Sequence, residues 1–305
     1  MRYIVTGAAG FIGSQLAESL QESGHDVVGV DCFTDYYDPA EKEANAQGLD
    51  VRRFDLAGQP LELDGVDGVF HLAAQAGVRS FGDVFPTYVR RNLLATQRVF
   101  EACALAGVRV VFASSSSVYG EAEAYPTPED AEPRPISPYG ITKLGCEHLA
   151  RAYGSAFGLD AVVLRYFTVY GPRQRPDMFF RRVCDELLGG GTFEIFGTGR
   201  QSRSFTYVGD AVAAAILAME RAERGALFNV GGGEEATMLE AIALLERLSG
   251  RALDVQHVGD AAGDVSRTSA DVSRIRAALG WRPETSLEDG LARMWSWASA
   301  RVAAG

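Results

Sequence analysis

Tyr139 and Lys143 lie four positions apart in a segment that predicts a helix starting at Pro138. Residues at this spacing share one face of a helix, so the phenol and the ammonium should project together. A nearby ammonium favours the phenolate, which would make Tyr139 a usable base. The serine run Ser114–Ser117 ends a predicted strand, and a hydroxyl there can bind a substrate hydroxyl or keto oxygen. These residue types are suited to moving a proton at a substrate oxygen.

A glycine-rich segment joins the first predicted strand to the first predicted helix. Its glycines at positions 7, 10 and 13 (Gly7, Gly10, Gly13) permit a tight turn, close approach to a pyrophosphate and close helix–strand packing. The helix N-terminus would then offer N–H groups to the phosphates. Asp31 ends the second predicted strand, where a carboxylate binds the adenine ribose and repels a 2′-phosphate. The two features together predict a site for NAD rather than NADP.

Other strand ends complete the predicted cofactor site. Asp55 and Leu56 follow the third predicted strand and could contact adenine. His71 ends the fourth and is interpreted as a packed core histidine, because no second metal-type residue accompanies it; no metal site is predicted. The predicted cofactor residues are Gly7, Gly10, Phe11, Ile12, Gly13, Asp31, Asp55, Leu56, Leu72, Ala73, Ala74, Tyr139, Lys143 and Tyr166.

The elements that must position these residues alternate along the chain. The predicted strands are Tyr3–Val5, Asp26–Val30, Val51–Phe54, Gly68–Leu72, Val108–Ala113 and Ala161–Arg165, and the predicted helices include Phe11–Ser23, Pro86–Ala106 and Pro138–Phe157. This alternation predicts an α/β fold, with a Rossmann-type doubly wound parallel sheet and a smaller mixed α/β C-terminal substrate lobe. We predict that residues 1–167 and about 205–231 bind the cofactor, and that about 168–204 and 232–305 form the substrate lobe.

Composition excludes several classes of protein. The 305 residues carry 29 basic and 40 acidic side chains, a net charge of −11 that argues against nucleic-acid binding. No apolar run is long enough for a membrane span, and the N-terminus does not resemble a signal peptide. The four cysteines lie far apart without a CxxC pair, which argues against a disulfide scaffold and favours the reducing cytoplasm.

Lysine is almost absent from the chain. Of the 29 basic residues only Lys42 and Lys143 are lysines, and the other 27 are arginines. GC-rich codon usage explains the bias, so each retained lysine is a candidate for a role that arginine cannot fill. Lys143, beside Tyr139, fits such a role. Lys42, between two glutamates, is predicted to lie on a solvated helix or loop.

The ordered motifs resemble the extended short-chain dehydrogenase/reductase family, and within it the NAD-dependent nucleotide-sugar epimerases and dehydratases. They are Gly7–Gly13, Asp31, His71–Ala74, Ser115–Gly120, Tyr139–Lys143, Tyr166–Pro172, Phe196–Asp210 and Gly280–Pro283. The resemblance implies that a nucleotide-diphosphate sugar is oxidised at C4 by tightly held NAD. It also implies a catalytic triad of Ser115, Tyr139 and Lys143.

Two positions after Ser115 distinguish members of this family. The 4,6-dehydratases carry an Asp-Glu pair there, and UDP-glucuronate decarboxylases carry a Glu just before Val-Tyr-Gly. This chain has Ser116 and Ser117, so no carboxylate is available for either reaction. The resemblance therefore favours 4-epimerisation, in which Tyr139 removes the C4 hydroxyl proton and the 4-keto sugar turns over before hydride returns.

The segments around Gln75 and Thr168 resemble UDP-glucuronate 4-epimerases, whereas UDP-galactose-type enzymes usually carry Asn in place of Thr168. In the glucuronate enzymes the sugar carboxylate is surrounded by the residues matching Thr168, Arg175 and the serine run, and a guanidinium suits a carboxylate. The resemblance places Arg203 on the diphosphate and Asp264 on the uridine ribose. The predicted substrate residues are Gln75, Arg79, Ser115, Ser116, Ser117, Tyr139, Thr168, Arg175, Met178, Phe196, Arg203 and Asp264.

UDP-glucuronate, converted to UDP-galacturonate, is thus the expected substrate. The alternatives are a UDP-glucose or UDP-N-acetylhexosamine 4-epimerase, a UDP-glucuronate decarboxylase, a catalytically silent NAD-binding protein and a dehydrogenase that releases NADH. The helices Pro86–Ala106 and Pro138–Phe157 resemble those of the family's dimer interface, so a homodimer is expected by analogy.

Overall fold

A computed structural model of the chain describes residues 1–77, 81–259 and 265–303. The strands are β1 (Arg2–Thr6), β2 (Asp26–Asp31), β3 (Asp50–Arg53), β4 (Gly68–His71), β5 (Arg109–Ser115), β6 (Ala161–Tyr166), β7 (Thr168–Tyr170), β8 (Thr192–Phe196), β9 (Ser202–Tyr207), β10 (Leu227–Val230), β11 (Glu235–Thr237), β12 (Asp254–Val258) and β13 (Arg267–Thr268). The helices are α1 (Phe11–Glu22), α2 (Pro39–Asn45), α3 (Phe85–Tyr88), α4 (Ala95–Ala106), α5 (Pro138–Phe157), α6 (Phe179–Gly189), α7 (Val208–Arg221), α8 (Met238–Ser249), α9 (Ser273–Leu279) and α10 (Leu287–Ala303).

Seven strands form the larger sheet, in the order β10-β6-β5-β4-β1-β2-β3, and every neighbouring pair is parallel. The strand order reverses between β1 and β4. In a doubly wound sheet a crevice opens at this point, beyond the carboxyl ends of the strands, and ligands bind there. The predicted Rossmann-type fold is confirmed.

Both faces of this sheet are covered by helices, which explains why the strands read as continuous apolar runs. All six residues of β6 are buried. On one face Leu16 and Leu20 of α1 pack in a cluster that includes residues of α7. On the other face Val99 and Phe100 of α4 pack in a second cluster that includes residues of α5. The two helix layers hold the carboxyl edge of the sheet in a fixed position.

The segment Pro86–Ala106 is helical throughout, as predicted, and includes a π-helical turn at Val89–Leu94 between α3 and α4. Asn92 in this turn is buried. Its Oδ1 accepts a 2.7 Å hydrogen bond from the Gln75 backbone N–H, and its Nδ2 donates to Thr142 Oγ1 at 3.0 Å. π-helical turns often occur at functional sites, and this one ties the loop after β4 to α5.

A smaller α/β lobe follows β6, as predicted, and contains a mixed sheet of β7, β9, β11 and β13 and a parallel pair of β8 and β12. Its core includes Tyr170, Phe180, Phe205 and Leu291. The chain returns to the larger sheet through α7 and β10, a strand absent from the predicted set. The proposed division into two domains stays a prediction. None of the helices in the described part of the chain combines the length and apolar character needed to cross a membrane.

Candidate active site

Two adjoining cavities lie at the carboxyl edge of the larger sheet. The first, of about 300 Å³, is lined by all the residues predicted to bind the cofactor. The second, of about 490 Å³, extends into the smaller lobe. The side chains of Ser115, Tyr139, Tyr166, Arg175 and Met178 line both. The predicted catalytic residues Ser115 and Tyr139 therefore lie where the two cavities meet.

The glycine loop between β1 and α1 is packed too tightly for side chains. Gly7 adopts a left-handed conformation (φ +72°), and its N–H donates a 2.7 Å hydrogen bond to the Val30 carbonyl oxygen. A Cβ on Gly7 would lie 2.9 Å from the Ala73 nitrogen, and one on Gly13 would overlap the Gly7 carbonyl oxygen. Gly10 caps α1 without a side chain, so the first turn of the helix borders the cavity with its backbone. This cradle fits the pyrophosphate of a dinucleotide.

Asp31, at the end of β2, is held in the first cavity by backbone N–H groups. Its Oδ2 accepts from Ala9 at 3.2 Å and its Oδ1 accepts from Phe33 at 2.8 Å. The carboxylate is thus fixed beside the glycine loop, with acceptor capacity left for ribose hydroxyls. This arrangement fits the predicted role of Asp31 toward the adenine ribose.

Asp55, predicted to lie near adenine, is already engaged by the protein. Burial acts to raise its pKa, but the N–H of Ala57 and the guanidinium of Arg90 outweigh burial and hold the pKa below its ordinary value. The Oδ2 atom pairs with Arg90 at 2.9 Å and Oδ1 accepts from Ala57 at 2.8 Å. Asp55 is therefore an ionised anchor at the wall of the first cavity, next to Leu56.

The start of α5 positions Tyr139. Ser137 caps the helix, its Oγ accepting a 3.1 Å hydrogen bond from the Gly140 N–H. A Cβ on Gly140 would overlap the Ser117 carbonyl oxygen, so the first turn of α5 packs directly on the serine run. One turn later, Lys143 is only 3% exposed, and its Nζ donates a 2.7 Å hydrogen bond to the Ala113 carbonyl oxygen. Tyr139 and Lys143 both line the first cavity, as their spacing predicts.

The serine run divides into two parts. Ser114 points into the core and donates a 2.5 Å hydrogen bond to Glu147 Oε1. Ser115, Ser116 and Ser117 line the second cavity, and Ser115 Oγ lies 3.1 Å from both the Oγ and the N of Ser117. Ser115, Ser116 and Ser117 are the members of the run that are predicted to contact the substrate, and Ser114 is not among them. The alternation of side chains at the end of β5 sends Ser114 and Ser115 to opposite faces.

Arg175 lies against both cavities and is paired with a carboxylate. Its Nε and Nη2 each lie 2.9 Å from one oxygen of Asp177. Tyr36 Oη, from the loop after β2, lies 3.4 Å from Asp177 Oδ2. Burial and the Asp177 charge raise the pKa of Tyr36 to about 12. Thr168, at the start of β7, and Met178 line the same cavity.

The remaining predicted substrate residues are spread over both cavities. Phe196 and Arg203 line the second, and Arg203 donates hydrogen bonds to the carbonyl oxygens of Ser202 (2.8 Å) and Val265 (2.6 Å). Gln75 lines the first cavity, where its Oε1 accepts from Arg91. Arg79 and Asp264 lie outside the described residues.

The prediction that Lys42 is solvated is wrong. Lys42 is 6% exposed, lines the first cavity, and donates 2.8 Å hydrogen bonds to the carbonyl oxygen and Oγ1 of Thr34. Its Nζ lies 4.9 Å from the centroid of the Tyr37 ring. Burial lowers the pKa of Lys42, while the Asp31 carboxylate acts in the opposite direction. The flanking glutamates suggested a solvated helix, whereas the scarcity of lysine was the signal that could have identified this residue.

Further residues that were not predicted also border the cavities. In the first they include Cys32, Thr34, Tyr36, Tyr37 and Arg91, and in the second Phe179, Arg182 and Met238. His71 is buried, and its ring nitrogens lie 2.7 Å from Thr6 Oγ1 and 3.0 Å from Thr96 Oγ1. Among the described residues no group of His, Cys, Asp and Glu side chains could hold a metal ion.

Comparison with known proteins identifies the family. Residues 3–231 match the model of the NAD dependent epimerase/dehydratase family. The chain belongs to this family. The predicted family and the predicted cofactor, NAD, are both confirmed for this epimerase/dehydratase chain.

Three relatives match this family member over nearly its whole length. The uncharacterized UDP-glucose epimerase YtcB of Bacillus subtilis (strain 168) is 43% identical, covering 95% of this chain and 96% of that protein. The crystal structure of UDP-glucuronic acid 4-epimerase from Bacillus cereus with UDP-glucuronic acid and NAD has a TM-score of 0.95 at 39% identity, covering 99% of this chain and all of the other (100%). MoeE5 with UDP-glucuronic acid and NAD has a TM-score of 0.89 at 43% identity, covering 99% of this chain and 100% of that one. MoeE5 is also similar in its complex with UDP-glucose and NAD.

Proposed function

We propose that this protein is a UDP-sugar 4-epimerase and that its substrate is UDP-glucuronate, which it converts to UDP-galacturonate. The observation that carries the proposal is the position of Arg175. Its guanidinium borders the place where the two cavities meet, and Thr168 and Ser115–Ser117 line the second of them. Its Nε and Nη2 form a fork that can hold a carboxylate, as it does that of Asp177. A guanidinium in this position is suited to the C6 carboxylate of a uronate.

The chemistry at C4 is assigned to Tyr139, Lys143 and Ser115. When bound, NAD supplies the acceptor and donor for the hydride at C4. Tyr139 removes the proton of the C4 hydroxyl and later returns it, and Ser115 binds the same oxygen. Lys143 lies one helical turn after Tyr139 and lines the first cavity, and its ammonium donates a hydrogen bond to the Ala113 carbonyl oxygen. Since a hydride leaves C4 and returns to it, the net reaction is an isomerisation.

Two features support epimerisation over elimination or decarboxylation. Ser116 and Ser117, the positions next to Ser115 on the second cavity, carry hydroxyls and no carboxylate. No acid–base pair is therefore offered there for loss of water. A 4-keto uronate is also a β-keto acid, and it loses CO₂ only when the C5–C6 bond aligns with the carbonyl π system. We propose that Arg175 and Thr168 clamp the carboxylate out of this alignment.

UDP-glucose is the second candidate substrate. One relative is named for UDP-glucose epimerisation, and MoeE5 has been observed with both UDP-glucose and UDP-glucuronic acid. The described lining of the second cavity is also compatible with a neutral sugar, because Arg175 is already neutralised by Asp177.

The deciding experiment supplies UDP-glucuronate and UDP-glucose separately and follows inversion at C4 by NMR. We expect UDP-galacturonate from the first and slower or no turnover of the second. Preferential turnover of UDP-glucose would overturn the substrate assignment, and net production of NADH would overturn epimerisation. Release of a UDP-4-keto-pentose by the wild-type enzyme would refute the clamp, whereas its appearance only after substitution of Arg175 or Thr168 would support it.

We also propose that the protein is a homodimer that pairs through α4 and α5. The exposed large apolar residues on and beside these helices are Phe85, Val89, Leu94, Leu105, Ile141 and Phe157. Such a concentration of exposed apolar side chains is typical of a surface that another protein covers.

A further inference from the structure

We propose that Asp177 is a specificity-determining residue, which competes with the sugar carboxylate for Arg175 and thereby restricts uronate binding while leaving neutral UDP-hexoses unaffected. The proposal rests on the proposed function, because it concerns the site assigned to the C6 group. The sequence predicts substrate contacts for the neighbouring Arg175 and Met178 but assigns no role to Asp177.

The competition follows from the geometry of the pair. A guanidinium presents Nε–H and one Nη–H as a parallel fork, and both of these donors are directed to Asp177, at 2.9 Å each. A uronate carboxylate needs the same fork to bind in the same way. Two carboxylates cannot both occupy it, so the sugar must displace Asp177 or bind beside it.

Either outcome places a cost on an anionic C6 group. Displacement breaks a bidentate ion pair whose two side chains are only partly exposed, 23% for Arg175 and 40% for Asp177. Binding beside the intact pair brings two carboxylates of like charge together. A neutral hydroxymethyl group meets neither cost, because it leaves the pair in place and can accept or donate a single hydrogen bond.

Tyr36 gives the displaced carboxylate a place to remain. Its hydroxyl lies 3.4 Å from Asp177 Oδ2, and its ring centroid lies 6.0 Å from the Arg175 guanidinium carbon. Since the phenol stays protonated over the physiological range, it can continue to donate to Asp177 after Arg175 has moved to the substrate. Tyr36 belongs to the loop that follows Asp31 and lines both cavities. The exchange of Asp177 for the sugar carboxylate at Arg175 would therefore take place at the border between the two cavities.

The test compares Asp177→Asn with Asp160→Asn. Asparagine keeps the size of the side chain and one acceptor oxygen but removes the charge. Asp160 is the matched control, because it also pairs with an arginine, Arg109 Nε at 2.9 Å, and lies at the amino ends of β5 and β6, away from both cavities. Both variants change the net charge by the same amount.

Binding of UDP-glucuronate and of UDP-glucose is measured by titration calorimetry on NAD-loaded proteins that also carry Tyr139→Phe, which keeps the shape of the site and removes the proton transfer that turnover needs. We expect Asp177→Asn to tighten UDP-glucuronate by about tenfold, the order of one unfavourable charge contact, and to change UDP-glucose less than about twofold. Asp160→Asn should leave the ratio of the two dissociation constants at its wild-type value. Unchanged UDP-glucose binding in Asp177→Asn also verifies that the site is folded.

Three results would overturn the proposal. Weaker UDP-glucuronate binding in Asp177→Asn would show that Asp177 orients Arg175 instead of competing for it. An unchanged ratio would show that the sugar does not use Arg175's fork. Equal tightening of both ligands would show a general charge effect. Because binding is measured without turnover, the test of Asp177 does not require an active enzyme. A wild-type enzyme that binds UDP-glucuronate but does not epimerise it would refute the proposed function, and the two dissociation constants would still test the role of Asp177.

Discussion

The ammonium nitrogen of Lys143 lies 5.8 Å from the centroid of the Tyr139 ring, one helical turn further along α5. The same ammonium donates a 2.7 Å hydrogen bond to the carbonyl oxygen of Ala113, in the neighbouring strand β5. A compact ammonium fits this buried position, where its nitrogen also lies 4.9 Å from the centroid of the Phe112 ring. A guanidinium is longer, planar and fixed in the geometry of its donors.

Replacing Lys143 with Arg should therefore abolish most activity although the charge is kept. We expect kcat for the epimerised UDP-sugar to fall by about 100-fold or more, the range of a lost acid–base partner. The variant should keep the NAD-binding glycine loop and Asp31, so NAD content and melting temperature are measured alongside kcat. Near wild-type kcat in this variant would show that any cation suffices beside Tyr139.

Replacing Tyr139 with Phe removes only a hydroxyl. We expect kcat to fall by about 10²–10⁴-fold while NAD and UDP-sugar still bind, because the side chain's shape is retained and only proton transfer is lost. The control is Tyr153→Phe on the same helix, whose hydroxyl bonds to Gln97 and which lines neither cavity. Activity in Tyr139→Phe equal to that of the control would refute the assignment of Tyr139 as the base.

Replacing Lys42 with Met should weaken cofactor binding. The change removes two 2.8 Å hydrogen bonds to Thr34 and leaves the partners of a buried donor unpaired, at a cost of about 1–3 kcal/mol. Since Thr34 and Tyr37 line the first cavity, the loop should hold NAD less firmly. NAD per protein chain after gel filtration is the measurement, with Arg52→Met, a half-exposed cation of β3, as the control. Equal NAD retention in both variants would assign Lys42 a role in packing alone.

The glycine turn, the position of Asp31 and the shared cavity of Tyr139 and Lys143 could be predicted from sequence because their requirements are local. The turn at Gly7 and the acid at Asp31 follow from the backbone geometry of a strand–turn–helix unit and from the end of the next strand. The pairing of Tyr139 with Lys143 follows in the same way from helical periodicity. Each of these inferences needs only one element and the residue spacing within it.

The rest depended on contacts between elements that the sequence does not reveal. Asn92 bonds to Thr142 because a π-helical turn rotates it inward, and nothing in its neighbourhood marks such a turn. Lys42 is buried because the loop that contains Thr34, between β2 and α2, packs against it. The ion pair between Arg175 and Asp177 depends on the fold of the segment after β7, and the sequence predicts Arg175 only as a substrate ligand. For Asn92 and Lys42 the deciding contact joins two segments of the chain, and its geometry is not encoded in the residue spacing of either one.

His71 should make the protein less stable in mild acid. Burial, aided by the nearby Lys143 charge, lowers the pKa of His71 from 6.5 to about 3. Between these two pH values the imidazole therefore binds a proton in the unfolded chain but not in the folded chain. The free energy of unfolding falls as the pH drops below about 6.5. The loss from this residue is about 1.4 kcal/mol per pH unit.

His71→Asn provides the comparison, because asparagine keeps polar contacts toward Thr6 or Thr96 and does not titrate. The free energy of unfolding is measured in urea at pH 7, 6 and 5 for both proteins. The variant should be less stable than the wild type at pH 7, and the difference should shrink as the pH falls. Parallel pH profiles would show that His71 protonates equally in both states.

Replacing Ile141 with Glu should disrupt the proposed dimer. Ile141 is 52% exposed on α5, and a charge placed there would be buried without a partner when two such surfaces pair. Val302→Glu is the control. Val302 is 54% exposed near the end of α10, so this substitution introduces the same charge at a similarly exposed position away from α5. Light scattering should give a dimer mass for the wild type and the control and a monomer mass for Ile141→Glu. A monomeric wild type would refute the dimer, and a dimeric Ile141→Glu would move its interface away from α5.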